Sequence, residues 1–363
     1  MAHYSVAVAG ATGYAGGEAL RILASHPDME VTCVTGHSSI GHRLGEYLPH
    51  IPCLADLEVQ DTTPEVLNGH DIIILALPHG ASGALAEKLD DASVVVDLGA
   101  DHRLEERDMW DRYYGGPYYD SWIYGMPEMI SGNVHGSPSK QRNLLRGARR
   151  IAGPGCNVTA VTLAFQPALA YGLIDEKDIV ADLAVAYSGA GKNLKRSNLL
   201  AAEALNSATP YSVGGTHRHI PEMLQNLTHA AGREGARWHD ISLGFTPMLV
   251  PMSRGILATV SARLSEKAWD LSDEAIRSYW QDLYADETFV RLLPQGAMPA
   301  TQNVLGSNCA HVQVAVDRTS GRLYAFCAID NLNRGTAGQA IQSLNIALNL
   351  NEITGLTTIG VAP

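Results

Sequence analysis

Residues 5–35 read SVAVAGATGYAGGEALRILASHPDMEVTCVT, and this stretch decides the fold. A short apolar run (5–9) gives way to Gly10-Ala11-Thr12-Gly13-Tyr14-Ala15-Gly16. An amphipathic helical pattern over 17–25 follows, closed by His26-Pro27, and a second strand pattern covers 30–35. Strand, glycine turn, helix and strand within about thirty residues make a βαβ unit, whose glycines let backbone approach a pyrophosphate at the helix N-terminus. Two further runs, 71–77 and 93–98, have the continuous apolar character of parallel strands buried on both faces. They end in Pro78-His79-Gly80 and Gly99-Ala100-Asp101-His102-Arg103, at the sheet edge where ligands gather. Arg103 is a candidate anion contact there, with pairing to Asp101 as its alternative.

The end of the second strand indicates which dinucleotide. NAD enzymes place an Asp or Glu there for the ribose 2′-hydroxyl. Here the segment is Thr35-Gly36-His37-Ser38-Ser39, with hydroxyls, no acid, and Arg43 further on. That suits a 2′-phosphate, and hence NADP.

Composition sets the remaining bounds. A chain of 363 residues is too long for one ordinary core, so two domains are expected. A formal net charge of −12 speaks against nonspecific binding to nucleic acid or an anionic membrane surface. Five scattered cysteines without a C-x-x-C pair form neither a disulfide framework nor a zinc site. The chain enters a strand at once, with no signal-peptide pattern and no apolar run near the roughly 20 residues of a membrane helix, so a cytoplasmic protein is expected.

The second half changes pattern. Gly153-Pro154-Gly155-Cys156-Asn157 stands directly before a helical run at 160–171, which places Cys156 at or near a helix N-terminus. The positive dipole end and unpaired N–H groups there favour a thiolate, a nucleophile suited to a covalent acyl intermediate. Strands are expected at 179–187, 242–250, 256–264, 311–317 and 322–330, with helices at 195–205 and 273–284, giving a mixed, largely antiparallel sheet. Residues 133–145 read as an exposed loop. A last helix opens at Gly335 and runs to about residue 350, packing back on the first domain. His217-Arg218-His219-Ile220-Pro221-Glu222 supplies two histidines for acid–base work and a carboxylate to fix a tautomer. Their i, i+2 spacing without a third nearby ligand speaks against a metal. Arg254 lies in a turn between strands, where its fork can clamp a carboxylate or phosphate or form a surface salt bridge.

Taken together, these segments resemble the N-acetyl-gamma-glutamyl-phosphate reductase family of arginine biosynthesis. The matching motifs are GATGYAGGE (10–18), ALPHG (76–80), LGADHRL (98–104), YGMPE (124–128), PGC (154–156), SGAGK (188–192), HRHIPE (217–222), SRGILAT (253–259) and AIDNLNRGTAGQA (328–340). They occur in the family's order and span nearly the whole chain. Three departures stand out: Asn157-Val158-Thr159 where the family commonly has aromatic-Pro-Thr, Arg334 for a lysine, and His102 for a phenylalanine. Asn157 is shared with a related branch that reduces acyl phosphates on an acidic carrier protein. That branch needs a basic docking surface, and the only such run here lies around Lys192, Lys195 and Arg196. The free metabolite is therefore preferred.

The resemblance implies an α/β chain with a doubly wound Rossmann-like NADP-binding domain (1–154 with 336–363). It also implies an α+β catalytic and dimerisation domain with a mixed sheet (155–335), in a homotetramer or homodimer. It implies NADP(H) contacts at Gly10, Thr12, Gly13, Tyr14, Ala15, Gly16, Ser38, Ser39, Pro78, Ser188, Gly189, Asn331 and Gly335. Substrate contacts fall to Arg103, Asn157, Arg218 and Arg254, and catalysis to Cys156, His217, His219 and Glu222, with the acid left open between the histidines. The expected reaction is thiolate attack on the gamma-acyl phosphate, loss of phosphate, reduction of the thioester, and release of N-acetylglutamate 5-semialdehyde. Aspartate-semialdehyde dehydrogenase is the rival within the class, and its characteristic histidine is replaced here by Gly255-Ile256. A noncatalytic NADP-binding sensor is the rival outside it.

Overall fold

A computed structural model describes residues 3–134, 137–192, 200–232 and 237–362. These divide into two compact units, one drawn from Met1–Pro127, Leu144–Pro154 and Thr336–Leu356, the other from Glu128–Asn143, Gly155–Gly335 and Thr357–Pro363.

The first unit is a seven-stranded, wholly parallel sheet in the order Val59–Asp61, Met29–Gly36, Tyr4–Ala9, Ile72–Leu75, Val94–Asp97, Arg150–Ala152 and Ile123–Tyr124. The run IIIL at 72–75 is buried along its whole length because both faces of the sheet are covered. Side-chain alternation shows this directly. Val6, Val8, Ile72 and Ile74 join one apolar cluster, while Ala7, Ala9, Ile73 and Leu75 join the other. Helices Tyr14–Leu23 and Gly338–Ala347 pack into the first of these. The last helix thus returns to the first unit, although a π-helical turn at Asn333–Ala337 precedes it.

The second unit holds a seven-stranded mixed sheet. Its order is Thr209–Pro210, Leu243–Leu249, Ile179–Val185, Ile256–Arg263, Arg322–Ile329, Ala310–Asp317 and Val290–Leu292. Four of its six pairings are antiparallel. Helix Cys156–Ala170 lies against this sheet and is buried from Asn157 to Ala170, which is why its sequence is apolar all round. Helix Asp273–Tyr284 begins at the Ser272 cap, whose hydroxyl accepts from Ala275 N–H.

Two expectations change. The stretch 133–145 carries an antiparallel ribbon, Ile130–Val134 with Ser137–Lys140, and a helical turn at Arg142–Leu145. Its anchors are remote in sequence: Gln166 Oε1 accepts Ile130 N–H, and Lys140 and Arg142 pair with the buried Glu287. Residues 195–199 of the expected helix at 195–205, with Lys195 and Arg196, lie outside the described residues, and a helical turn stands at Ala201–Ala204.

Candidate active site

In the first unit the glycine turn is shaped by backbone alone. Gly10 has φ +77, and a Cβ on it would sit 2.3 Å from the Ala76 carbonyl oxygen. A Cβ on Gly16 would sit 2.3 Å from the Gly10 carbonyl oxygen. Both positions therefore require glycine. Gly10 and Ala11 N–H both donate to Thr35 O, and Gly13 caps the helix that starts at Tyr14. Ala15 is half-buried and Tyr14 exposed beside that start. This cradle, which any Cβ would fill, fits a pyrophosphate at a helix N-terminus.

Around it, Thr12 and the buried Ser39 share a hydroxyl–hydroxyl contact of 3.3 Å, while Ser38 and Pro78 are exposed. The following loops lock together: Asp101 accepts from Gly80 and Gly83 N–H, and Ser82 donates to Asp97. Burial pushes the Asp97 carboxyl up to about 6. Two arginines depart from expectation. Arg103 is buried and donates to the carbonyls of Gly153 and Leu98, so it ties backbone. Arg43 donates to the Asp56 carbonyl. Arg103 is drawn inward by its carbonyl partners, whereas Arg43 stays exposed.

The second unit assembles a nucleophile and its neighbours. Cys156 is the first residue of its helix and half-buried, with Gly155 as N-cap. Gly155 N–H donates to Glu222 Oε1 at 2.9 Å. A Cβ on Gly155 would meet His219 Nε2 at 2.7 Å and Glu222 Oε2 at 3.0 Å. Histidine and carboxyl thus flank one point beside the residue that precedes the thiol. His219 occupies the N-cap of helix Ile220–Ala231, and Glu222, fully buried, lies in that helix's first turn.

His217 stands behind His219. Its Nδ1 accepts His219 N–H at 3.0 Å, and its ring packs against His219, Phe245 and Tyr211. Burial, with Arg218 adding to it, lowers the imidazole to about 4, so the ring is neutral at physiological pH with its proton on Nε2. Tyr211 was not singled out by the sequence. It hydrogen-bonds Asn157, and burial raises its phenol to about 12, with the nearby Cys156 adding to the rise. A lone tyrosine 55 positions from the cysteine carries no local signal; only the left-handed Ser212 (φ 47) and the Gly214-Gly215 turn beside it mark a constrained loop.

The remaining candidates distribute as follows. Asn157 is 2% exposed and is hydrogen-bonded to Tyr211. Arg218 is exposed. Arg254, read as either an anion clamp or a salt-bridge partner, pairs with the fully buried Asp330. Ser188 and Asn331 are hydrogen-bonded to each other at 3.0 Å, Asn331 Oδ1 also accepts Gly255 N–H, and Gly189 stands exposed alongside. Gly335 approaches Cys156 so closely that a Cβ there would lie 2.7 Å from the cysteine Cβ.

Comparison with known proteins bears on this geometry. Residues 5–136 match the family described as semialdehyde dehydrogenase, NAD binding domain, and residues 156–331 the semialdehyde dehydrogenase dimerisation domain. N-acetyl-gamma-glutamyl-phosphate reductase of Bifidobacterium longum is 68% identical over 364 residues, covering all of both chains. The same-named protein of Bifidobacterium animalis subsp. lactis is 70% identical, again with full coverage. This chain belongs to the N-acetyl-gamma-glutamyl-phosphate reductase family. An aspartate semialdehyde dehydrogenase II of Vibrio cholerae superposes with a TM-score of 0.67 at 17% identity, over 96% of this chain and 99% of the other. That likeness is one of fold. Cys156, His217, His219 and Glu222 all fall within the second matched segment. Among the described residues no helix is long and apolar enough to cross a membrane.

Proposed function

We propose that this chain reduces N-acetyl-gamma-glutamyl phosphate to N-acetylglutamate 5-semialdehyde and phosphate, with NADP(H), through a thioester on Cys156. One observation carries the reading: Cys156 opens a helix, and Gly155 just before it is flanked by His219 Nε2 and Glu222 Oε2. The helix dipole and first-turn N–H groups favour the thiolate, which attacks the acyl carbon as the phosphate leaves with its bonding pair. Bound NADPH supplies the hydride that reduces the thioester carbonyl. The thiohemiacetal oxygen takes a proton from His219 and gives it back to His219 as the C–S bond breaks, which releases the aldehyde and returns the thiolate. His219 is assigned the acid because its Nε2 faces Gly155, whereas His217 is held neutral with Nδ1 committed to His219 N–H. His217 is then a positioning residue and Glu222 fixes the His219 side. Asn157 and Tyr211 support the thiol. Arg218, exposed at the same motif, is assigned the substrate anion, and Ser188, Gly189 and Asn331 the nicotinamide side.

The glycine cradle of the first unit, with Thr12, Ser38 and Ser39, is assigned the dinucleotide. The expected division of labour, residues 1–154 with 336–363 for cofactor and 155–335 for catalysis, is kept with 128–143 and 357–363 moved to the second unit, with which they pack. The matched dimerisation domain supports a homo-oligomer, taken here as a homodimer or a pair of them. Five free thiols suit a reducing, cytoplasmic setting. The test runs the reaction backwards: N-acetylglutamate 5-semialdehyde, phosphate and NADP⁺, read as formation of reduced nicotinamide, beside aspartate semialdehyde. Turnover with the acetylated aldehyde alone supports the reading; turnover with neither, while NADPH still binds, shifts it to a carrier-bound acyl group.

A further inference from the structure

The segment from Asp330 to Gly335 is held with unusual thoroughness. Asp330 is fully buried, and its carboxyl accepts from Leu332 and Asn333 N–H at 2.9 and 3.0 Å, from Gly306 N–H at 2.7 Å, and from Arg254. Asn333 donates to the Gly306 carbonyl, and Gly335 N–H closes the turn on Asp330 O. Arg334 and Glu128 are both completely buried and joined as a fork, with Nη1 and Nη2 on the two carboxyl oxygens at 3.1 and 2.5 Å. Glu128 is itself set by Gln166, which donates to its carbonyl. A buried ion pair of this kind is weak as a source of stability but strong as a fixer of geometry. The helical turn at 333–337 is of the rare π form, which recurs at functional sites. At its centre Gly335 presses on Cys156, with Cβ and Cα of the cysteine 2.7 and 3.2 Å from where a side chain would begin.

We infer that the ion pairs Arg334–Glu128 and Arg254–Asp330 form a brace that seats Gly335 against Cys156, so that Arg334, Glu128, Arg254 and Asp330 are positioning residues for the nucleophile. This gives Arg254 a task the sequence did not suggest, and it gives Arg334 one that its planar two-donor fork performs on both oxygens of Glu128. The inference rests on Cys156 being the nucleophile, as proposed above.

The test is the double substitution Arg334→Met with Glu128→Met, which removes the fork without stranding a buried charge. Two readings are taken on the full chain. The first is the pH profile of iodoacetamide alkylation at Cys156, followed by peptide mass because Cys53 is exposed. The second is kcat against KM. A displaced thiol lowers the alkylation rate at neutral pH and lowers kcat by at least about tenfold, with KM within about twofold. Gly335→Ala gives the same pair of changes while leaving both ion pairs in place, and Arg334→Lys restores part of the rate. A folded double variant with wild-type alkylation and kcat overturns the brace, and so does a wild-type-like Gly335→Ala. Should the double variant fail to fold, Gly335→Ala decides by the same two readings. Alkylation needs neither substrate nor cofactor, so it tests the brace even where the substrate assignment is wrong.

Discussion

The two units each depend on glycines at a helix N-terminus, for different reasons. Gly10 and Gly16 are required by main-chain atoms: the carbonyls of Ala76 and of Gly10 itself occupy the space a methyl group would need. Gly155 and Gly335 are required by side chains, His219 and Glu222 in one case and Cys156 in the other. A backbone constraint writes a periodic signature into the local sequence, and any ligand with a pyrophosphate can use it. A side-chain constraint is specific to one chemistry and leaves only an isolated glycine beside a cysteine. The first kind binds; the second positions reacting groups.

The largest expected effect tests that distinction at the thiol. Cys156→Ser removes the nucleophile and lowers turnover by about 10⁴-fold or more, because catalytic residues acting as a unit fail together. NADPH affinity, measured by fluorescence titration, stays at the wild-type value if the cradle is independent. A tenfold loss of that affinity would break the comparison.

Next come the glycines themselves. Gly155→Ala drives a methyl group into His219 Nε2 and Glu222, and kcat is expected to fall about 100-fold, as for a misplacement of around 1 Å. Gly10→Ala places a Cβ at φ +77 against the Ala76 carbonyl, a strain of about 1–3 kcal/mol. Its mark is a raised Kd for NADPH, with Cys156 alkylation unchanged. If both variants damaged the same parameter, the division between binding and positioning glycines would fall.

Much of the first unit was legible because its constraints are short-range. Strand periodicity, the glycine turn and the His26-Pro27 stop all lie within one βαβ unit, and the observed strands Tyr4–Ala9 and Met29–Gly36 follow them. Five strands of the mixed sheet were legible too, whereas the short edge strands Thr209–Pro210 and Val290–Leu292 were not. The arginines were not. Arg103, Arg43 and Arg254 carry the same sequence signal whether they face a ligand or the protein itself; the structure buries Arg103 on two carbonyls, leaves Arg43 exposed against the Asp56 carbonyl and pairs Arg254 with Asp330. The ribbon at 130–140 was hidden because its anchors, Gln166 and Glu287, lie far along the chain. Tyr211 was hidden for the same reason, joined to Asn157 only by the fold.

A pH measurement sharpens the assignment of the two histidines. His217 has its folded-state value lowered to about 4 against an ordinary 6.5. The unfolded chain therefore takes up a proton that the folded chain refuses between those values. Its contribution is whole above about 6.5 and is lost as pH falls toward 4, at most ~3 kcal/mol. Urea unfolding at pH 7 and pH 4.5 should show this drop in the wild type and a flatter response in His217→Gln. An unchanged drop in the variant would place the acid sensitivity elsewhere. Because His217 is neutral throughout the neutral range, a limb of kcat/KM near pH 6–7 does not belong to it.

The smallest effect is expected at Tyr211, and it asks whether a side chain tied to the thiol only through Asn157 takes part in positioning it. The phenol keeps its proton far above neutral pH, since burial raises it to about 12. Tyr211→Phe removes the hydroxyl and keeps the ring against His217, so packing is nearly preserved while one buried hydrogen bond goes. Such a bond is worth about 0.5–1.5 kcal/mol net, or roughly 2- to 10-fold in rate if its loss is felt at the reacting atoms. The informative quantity is where that factor falls. A drop confined to kcat, with a matching fall in Cys156 alkylation, makes Asn157 and Tyr211 part of the support on which the thiol rests. A loss of stability with kcat and alkylation unchanged would make the pair a packing contact, and the positioning glycines would then act on Cys156 without it.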